Sequence, residues 1–218
     1  MIAISNHMKR LYETGYNNQM CKIPAQVCYN GIDLEEYPLH RDKSDRLLFL
    51  GRIDPIKGPH VAIEVAEKAC TPIDIVGETE FVSNKAYVEE VKARCAKSKY
   101  ANFVGGVTHE VKVKYLQDAK ALVAASTFGE PFGLHFCEAN ACGVPVISTN
   151  DGAAGEVVAH DVTGFICNSV DEMVDAVKRL DTIDAGRCRE RVDRLFSVHV
   201  LAARLEELYR RILLGDEW

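Results

Sequence analysis

Short, uninterrupted apolar runs alternate with segments of helical pattern through most of this sequence. Six such runs follow residue 45: RLLFL at 46–50, IDIVG at 73–77, NFVGG at 102–106, ALVAA at 121–125, VPVIS at 144–148 and GFIC at 164–167. Strands that are apolar on both faces and are joined by helices form a parallel sheet with helices on both sides. We therefore predict an α/β fold, a doubly wound, Rossmann-like parallel sheet with flanking helices.

Composition argues against several classes of function. The 218 residues carry a formal net charge of −6, which disfavours a broad nucleic-acid-binding face. No apolar run approaches the length that spans a membrane, and the first residues lack the basic-then-apolar order of a signal peptide. The eight cysteines are scattered without a C-x-x-C pair, so we interpret them as reduced thiols of a cytoplasmic protein, in preference to disulfides or a zinc site.

Two glutamates flank the start of one predicted helix. Glu130 follows the strand at 121–125 in a loop, and Glu138 lies about a turn and a half into the helix at 134–142. Both carboxylates are expected to face the crevice beyond the carboxyl ends of the strands, where open α/β sheets bind ligands. The backbone N–H groups of residues 132–134 are expected to point at the same crevice and to favour an anion. In the alternative interpretation, the two glutamates only stabilise the helix dipole.

A basic loop, GRIDPIKG at 51–58, joins the first strand of the regular region to its first helix, where doubly wound folds bind phosphate. It is neither a dinucleotide fingerprint nor a P-loop, because it lacks G-x-G-x-x-G and because Lys57 precedes Gly58. Arg52 and Lys57 would bring two cations to a helix start, enough to neutralise a diphosphate without a metal. The alternative is that both are solvated surface charges.

Six motifs, taken together, resemble those of the retaining glycosyltransferases of the two-Rossmann-domain (GT-B) type, glycosyltransferase family 4. They are NGID at 30–33, the GR…KG loop at 51–58, FVGGV at 103–107, the E-x7-E pair of Glu130 and Glu138 with its internal FGL, EANACGVPVIS at 138–148, and the small-residue segment 151–156. Their order and spacing agree over about residues 2–215. The resemblance implies transfer of a hexose from a nucleoside-diphosphate sugar with retention of anomeric configuration.

The resemblance also implies a role for each motif residue. The catalytic set would be Glu130, Arg52 and Lys57, with Glu130 on the donor sugar and the two cations stabilising the departing diphosphate. The donor-binding set would be Gly51, Arg52, Lys57, Val107, Phe132, Gly133, Leu134 and Glu138, with Glu138 on the ribose. Val107 would contact the base mainly through backbone, joined by His109 and Lys112. Alternatively, Val107 is a core residue and the other two begin a solvated helix.

We expect neither a catalytic metal nor a cofactor, and a UDP- or GDP-sugar is the expected donor. The sequence contains no D-x-D pair. Apart from His109 and His135, the histidines are His7, His40, His60, His160 and His199, and they show no metal-binding spacing. His135, within the motif, is interpreted as an ordinary helix histidine.

The resemblance implies a full enzyme of two such domains that face each other, and this chain is too short to contain both. We predict a remnant of the N-terminal domain and linker at 1–30, the donor-binding domain at 31–196 and a C-terminal crossover helix at 197–218. Alternatively, Ile2–Ser5 is an edge strand of the main sheet. If the N-terminal domain is missing, a separate acceptor domain would be a partner, and any peripheral membrane contact would be made through that domain. Apolar surface left uncovered by its absence would favour self-association. Two other functions stay open: a non-catalytic nucleotide-sugar-binding module, and a sugar-nucleotide epimerase of the same architecture.

Overall fold

Eight strands occur in the part of the chain that the computed structural model describes, which is residues 1–15, 22–80, 82 and 84–216. They are β1 (Ile2–Ala3), β2 (Gln26–Val27), β3 (Leu47–Leu50), β4 (Ile73–Val76), β5 (Ala101–Gly105), β6 (Ala121–Ala124), β7 (Val146–Thr149) and β8 (Gly164–Cys167). The last six form one parallel sheet in the order β5-β4-β3-β6-β7-β8. The predicted doubly wound sheet is therefore confirmed.

Nine α-helices in the described ranges cover this sheet or flank it. They are α1 (Asn6–Thr14), α2 (Pro59–Lys68), α3 (Lys85–Lys97), α4 (His109–Asp118), α5 (Leu134–Ala141), α6 (Ala154–Val157), α7 (Val170–Lys178), α8 (Ala185–Phe196) and α9 (Val198–Leu213). A side-chain oxygen caps the first turn of five of them, from Ser5, Asn84, Ser169, Asp184 and Ser197. By contrast, α2 and α5 begin at the left-handed glycines Gly58 and Gly133. None of the described helices has the length and apolarity needed to cross a membrane.

The core lies on both faces of the sheet because successive strand residues point to opposite sides. On β3, Leu47 and Phe49 join a cluster with α2, α3 and α7, whereas Leu48 joins a second cluster with α4, α5 and α8. Strands buried on both faces explain the uninterrupted apolar runs of the sequence.

The first segment of the chain lies outside the main sheet. The alternative that Ile2–Ser5 is an edge strand of that sheet is wrong, because Ile2 and Ala3 pair in parallel with β2 in a separate two-stranded sheet. Ser5 Oγ donates to the carbonyl oxygen of Pro131 at 2.6 Å, and the Glu156 carboxylate accepts the N–H groups of Asn6 and His7. The start of α1 is thereby bound beside the loop that carries Glu130.

The two predicted domain boundaries, at 30/31 and 196/197, lie side by side. Ile32 donates its N–H to the Phe196 carbonyl at 2.9 Å, and Val198 donates to the Ile32 carbonyl at 3.1 Å. A Cβ added to Gly31 would stand 2.7 Å from the Ser197 carbonyl oxygen, so the two chain segments touch through backbone.

Six of the described cysteines are buried: Cys28, Cys95, Cys137, Cys142, Cys167 and Cys188. Cys70 is exposed, and Cys21 lies outside the described residues. Burial raises the pKa of Cys95 and Cys167 to about 11. Buried thiols that are protonated at neutral pH are poor nucleophiles.

We expect a maleimide reagent at pH 7 to modify Cys70 well before it modifies the six buried thiols, because only the exposed one is both accessible and solvated. Peptide mass spectrometry over a time course would locate each adduct, and Cys70→Ser should remove the early adduct at that peptide. Early modification of Cys137 or Cys142 in folded protein would contradict the burial.

Candidate functional site

The site lies where the order of strands reverses. From β3 the chain builds the sheet outward through β4 and β5, then returns to pair β6 with the other side of β3. Loops after β3 and β6 therefore diverge and open a crevice at the carboxyl ends of the strands. A cleft of about 260 Å³ lies there, lined by Leu50, Gly51, Lys57, Val76, Gly77, Glu78, Gly106, Val107, Lys112, His135 and Glu138.

The basic loop after β3 is a tight turn pressed against the end of β6. Asp54 Oδ1 accepts the Ile56 N–H at 3.1 Å and caps a short 3-10 turn, Pro55–Lys57. Gly58 follows with φ +70°, and a Cβ added there would stand 2.2 Å from the Ala125 carbonyl oxygen. The turn directs Lys57 into the cleft. Arg52 is exposed, and the described residues that line the cleft do not include it.

An ion pair joins the two loops that the motifs predicted to face each other. Lys57 Nζ lies 2.8 Å from Glu130 Oε2, and the two side chains are 18% and 9% exposed. Lys57 Nζ also lies 4.2 Å from the ring centroid of Phe128. The structure thus brings together one predicted cation and one predicted carboxylate, although their catalytic roles stay predictions.

The loop that carries Glu130 is held from behind by the small-residue segment 151–156. The N–H groups of Gly129 and Glu130 donate to Asp151 Oδ2 at 2.8 and 3.3 Å, and Ala153 N–H donates to the Glu130 carbonyl at 2.8 Å. Gly152 has φ +56°, and a Cβ there would stand 2.3 Å from the backbone N and O of Glu130. This contact explains why that motif has glycine at position 152.

Helix α5 begins at Gly133, which has φ +89°. Among the described residues, the backbone N–H groups of Phe132, Gly133 and Leu134 donate no hydrogen bond to a protein acceptor. The Phe132 ring is buried in the core at 2% exposure, and the Leu134 side chain is 44% exposed. Phe132 can therefore serve a ligand only through its backbone.

Glu138 is fixed by two donors from distant parts of the chain. Its Oε1 accepts the Tyr37 hydroxyl at 2.9 Å and the Lys112 ammonium at 2.9 Å, and Lys112 Nζ lies 3.2 Å from the Tyr37 oxygen. Lys112 lines the same cleft as Val107 and has its charge on the carboxylate predicted to bind ribose, and its contact with the base stays a prediction. His109 packs edge-on against the Tyr37 ring and is not among the described lining residues.

The far end of the cleft is formed by the ends of β4 and β5. Val107 lines it there together with Gly106 and Glu78, and its contact with the base stays a prediction. A Cβ on Gly77 would stand 1.9 Å from the Gly51 carbonyl oxygen, so the ends of β3 and β4 meet through backbone. Sequence reasoning missed Gly77 and Glu78, although the end of the apolar run at 73–77 and the residue that follows it were a usable signal.

His135 is also part of the cleft wall, in contrast to its interpretation as an ordinary helix histidine. Burial, and then the charge of Lys57, lowers the pKa of His135 to about 3. The charged groups that line the same cleft are Lys57, Glu78, Lys112 and Glu138. The imidazole is therefore neutral near pH 7.

We expect the stability of the protein to fall below pH 6.5 in a way that depends on His135. The pKa of histidine is about 6.5 in the unfolded chain and about 3 for His135 in the folded protein. Below pH 6.5 the unfolded state therefore binds a proton that the folded state does not, so this contribution to stability is complete above pH 6.5 and is lost as the pH falls. His135→Gln should reduce the loss of unfolding free energy between pH 7 and pH 5 by about 2 kcal/mol. Denaturant unfolding at both pH values measures this, with the exposed His199→Gln as matched control. Equal losses in wild type and His135→Gln would contradict the burial.

No group of three or more His, Cys, Asp or Glu side chains within the described ranges is placed to hold a metal ion. The cations that the structure brings to the cleft are the side chains of Lys57 and Lys112. The expectation that no metal takes part stays a prediction.

Comparison with known sequences identifies the chain's relatives. The sequence profile described as Glycosyl transferases group 1 matches residues 33–191. A putative glycosyltransferase of Bacillus subtilis, YtcC, is 26% identical over 87% of this chain and 55% of its own length. A GDP-mannose-dependent alpha-(1-6)-phosphatidylinositol monomannoside mannosyltransferase of Mycobacterium tuberculosis is 32% identical over 77% of this chain and 47% of its own. The chain thus spans about half the length of these relatives.

Solved structures show the same fold at low sequence identity. Sucrose-phosphate synthase of Thermosynechococcus elongatus superposes with a TM-score of 0.82 at 22% identity, covering 99% of this chain and 58% of that one. Anabaena Alr3699/HepE, solved in complex with UDP-glucose, gives 0.80 at 20% identity, covering 96% and 63%. The class that the fold defines is therefore that of doubly wound α/β domains. Within it, the chain belongs to the family described as Glycosyl transferases group 1.

Proposed function

We propose that this chain is the donor-binding part of a retaining glycosyltransferase that transfers a hexose from a nucleoside-diphosphate sugar. The observation that carries the proposal is the Lys57–Glu130 ion pair beside a cleft that Glu138 also lines. The diphosphate of such a donor matches a cation and the free N–H groups at a helix start, and its sugar and ribose match the two carboxylates. Retention is proposed because the E-x7-E pair resembles that of the retaining glycosyltransferases.

Each predicted residue has a proposed place along the donor. Lys57, with the backbone of Gly51 and of residues 132–134, would bind the diphosphate. Glu130 would accept a hydroxyl of the sugar, Glu138 would accept ribose hydroxyls, and Val107 would contact the base through backbone. Arg52 would have to turn inward from its exposed position to reach the diphosphate.

The chemistry follows from where negative charge develops. As the bond between the anomeric carbon and the phosphate oxygen breaks, that oxygen keeps the electron pair and the diphosphate gains charge. Preorganised donors aimed at such charge contribute most when water is excluded. The Lys57 side chain is 18% exposed and its ammonium is fixed by Glu130, which supports this role. No cofactor or metal is needed in the proposed reaction.

The nature of the donor is supported by the relatives. The M. tuberculosis relative is named as GDP-mannose-dependent, and the Anabaena structure contains UDP-glucose. A UDP- or GDP-sugar is accordingly the proposed donor of this chain.

The proposed domain organisation keeps the division at 1–30, 31–196 and 197–218. It is supported by the separate two-stranded sheet of β1 and β2 and by the adjacency of Ile32 and Ser197 at the two boundaries. Since the chain spans about half of its relatives, an acceptor domain is the proposed partner. Membrane contact through that domain, self-association through the exposed apolar residues of the last helix, and a cytoplasmic location stay predictions.

Titration calorimetry with UDP-glucose, GDP-mannose and ADP-glucose tests the proposal. At least one is expected to bind, and Glu138→Gln should weaken that binding roughly tenfold because a charged hydrogen bond is lost. Absence of binding at millimolar concentration would end the donor-binding proposal. A product assay, run on the chain alone and again with a separate acceptor domain, then separates the functions. Sugar transfer or donor hydrolysis in either case indicates a transferase, isomerised donor an epimerase, and binding without turnover in both cases a binding module.

A further inference from the structure

We propose that Tyr37 and Lys112 are positioning residues for the donor ribose, which hold one oxygen of Glu138 so that the other meets the ribose hydroxyls. In consequence, they set the preference of the site for ribonucleotide over 2′-deoxyribonucleotide ligands. The inference rests on the proposed function, which places the ribose at Glu138.

The contacts of Glu138 are asymmetric. Oε1 accepts both the Tyr37 hydroxyl and the Lys112 ammonium, each at 2.9 Å. Among the described residues, Oε2 accepts no hydrogen bond, and Glu138 lines the cleft with its side chain 14% exposed. The carboxylate therefore offers one unused acceptor oxygen to a ligand in the cleft.

Both partners of Oε1 act only as donors towards it. An ammonium has no acceptor lone pair, and an ionised carboxylate has no proton to give. Burial, followed by the charge of Glu138, raises the pKa of Tyr37, so its hydroxyl stays protonated and donates. The pair thus fixes the carboxylate without competing for the oxygen that faces the ligand.

Tyr37 is itself held by an arginine from a distant part of the sequence. The Arg189 guanidinium, on α8, donates to the carbonyl oxygens of Leu34 and Ala141 at 3.1 and 3.0 Å, and also to that of Tyr37. Ala141 ends α5, the helix that carries Glu138. One arginine therefore ties the Tyr37 turn to the helix of its hydrogen-bond partner, which fixes their separation.

A fixed carboxylate discriminates more sharply than a mobile one. When the 2′-hydroxyl is missing, an immobile Oε2 stays desolvated and unpaired, and that loss lowers affinity. A carboxylate free to rotate finds water or another partner instead. Tyr37→Phe removes one of the two constraints while it keeps the ring and its packing.

The test compares two ligands on each variant, UDP with 2′-deoxy-UDP and GDP with 2′-deoxy-GDP, by calorimetric Kd. Wild type is expected to prefer the ribonucleotide by roughly tenfold or more. In Tyr37→Phe this ratio should shrink severalfold, mainly because the ribonucleotide binds more weakly. Lys112→Gln should shrink it too, and serves if the first variant does not fold. Tyr115→Phe is the matched control, since the Tyr115 hydroxyl makes no hydrogen bond to a described residue.

The ratio separates a positioning role from a structural one, because both ligands are measured on the same protein. If the ratio of the two Kd values in Tyr37→Phe equals that of wild type, whether or not both ligands bind more weakly, the inference is overturned and the donor-binding proposal stands. If wild type binds none of the four nucleotides, the inference is overturned together with the proposed UDP- or GDP-sugar donor, and the donor-binding proposal itself falls only if ADP-glucose also fails to bind.

Discussion

Replacing Lys57 with methionine is expected to lower sugar transfer, or donor hydrolysis, by roughly 100-fold or more. Donor affinity should fall by less, roughly tenfold, because the contact strengthens as the diphosphate leaves. The structural reason is that Lys57 is the cation of the basic loop whose side chain lines the cleft. Turnover and calorimetric Kd on the same variant give the two losses, and equal losses in both would contradict a transition-state role.

The ion pair adds a second effect that a double variant separates. Lys57→Met leaves Glu130 buried without its partner, which should lower the unfolding free energy by about 3 kcal/mol. Glu130→Gln should do the same from the other side, and the double variant should recover much of that stability because neither charge remains. Turnover should stay low in all three proteins.

Lys114→Met, at an exposed position on α4, is the matched control for removing a lysine charge. It should leave both stability and turnover near wild type. If the double variant recovered turnover as well as stability, Lys57 would be structural and the proposed chemistry would be wrong.

Much of the fold could be predicted because each local signal agreed with the global one. The strand at β6 is four apolar residues, bounded by a helix end before it and by Gly129 and Pro131 after it. Such a run has few solutions other than a buried parallel strand. The meeting of Lys57 with Glu130 followed from topology, since loops after neighbouring parallel strands open at the same edge.

Other features lay beyond sequence reasoning because packing alone decides them. Tyr37 lies 101 residues before Glu138, in a stretch without periodic pattern, and nothing local marks its hydroxyl as a partner. Strands β1 and β2 have two residues each, too few for an alternation to show. The outward course of Arg52 depends on side-chain rotation within the loop after β3, and no local sequence pattern sets that rotation.

Replacing Gly152 with alanine is expected to damage both the fold and the site. The residue has φ +56°, and a Cβ would stand 2.3 Å from the backbone N and O of Glu130. The left-handed backbone and the clash together should lower the unfolding free energy by about 3 kcal/mol. The loop that carries Glu130 must move away from segment 151–153, so donor binding should weaken even at denaturant concentrations at which the variant is still folded.

Gly155→Ala provides the matched control three residues further on. Gly155 lies in α6, and a Cβ there meets no atom within 4 Å. Alanine should therefore leave stability unchanged or raise it by up to about 1 kcal/mol, since it favours helix over the unfolded chain. Denaturant unfolding and calorimetry on both variants measure the contrast. Equal stability of the two would show that Gly152 does not hold Glu130 in place, and the support for that carboxylate would have to come from Asp151 and Ala153 alone.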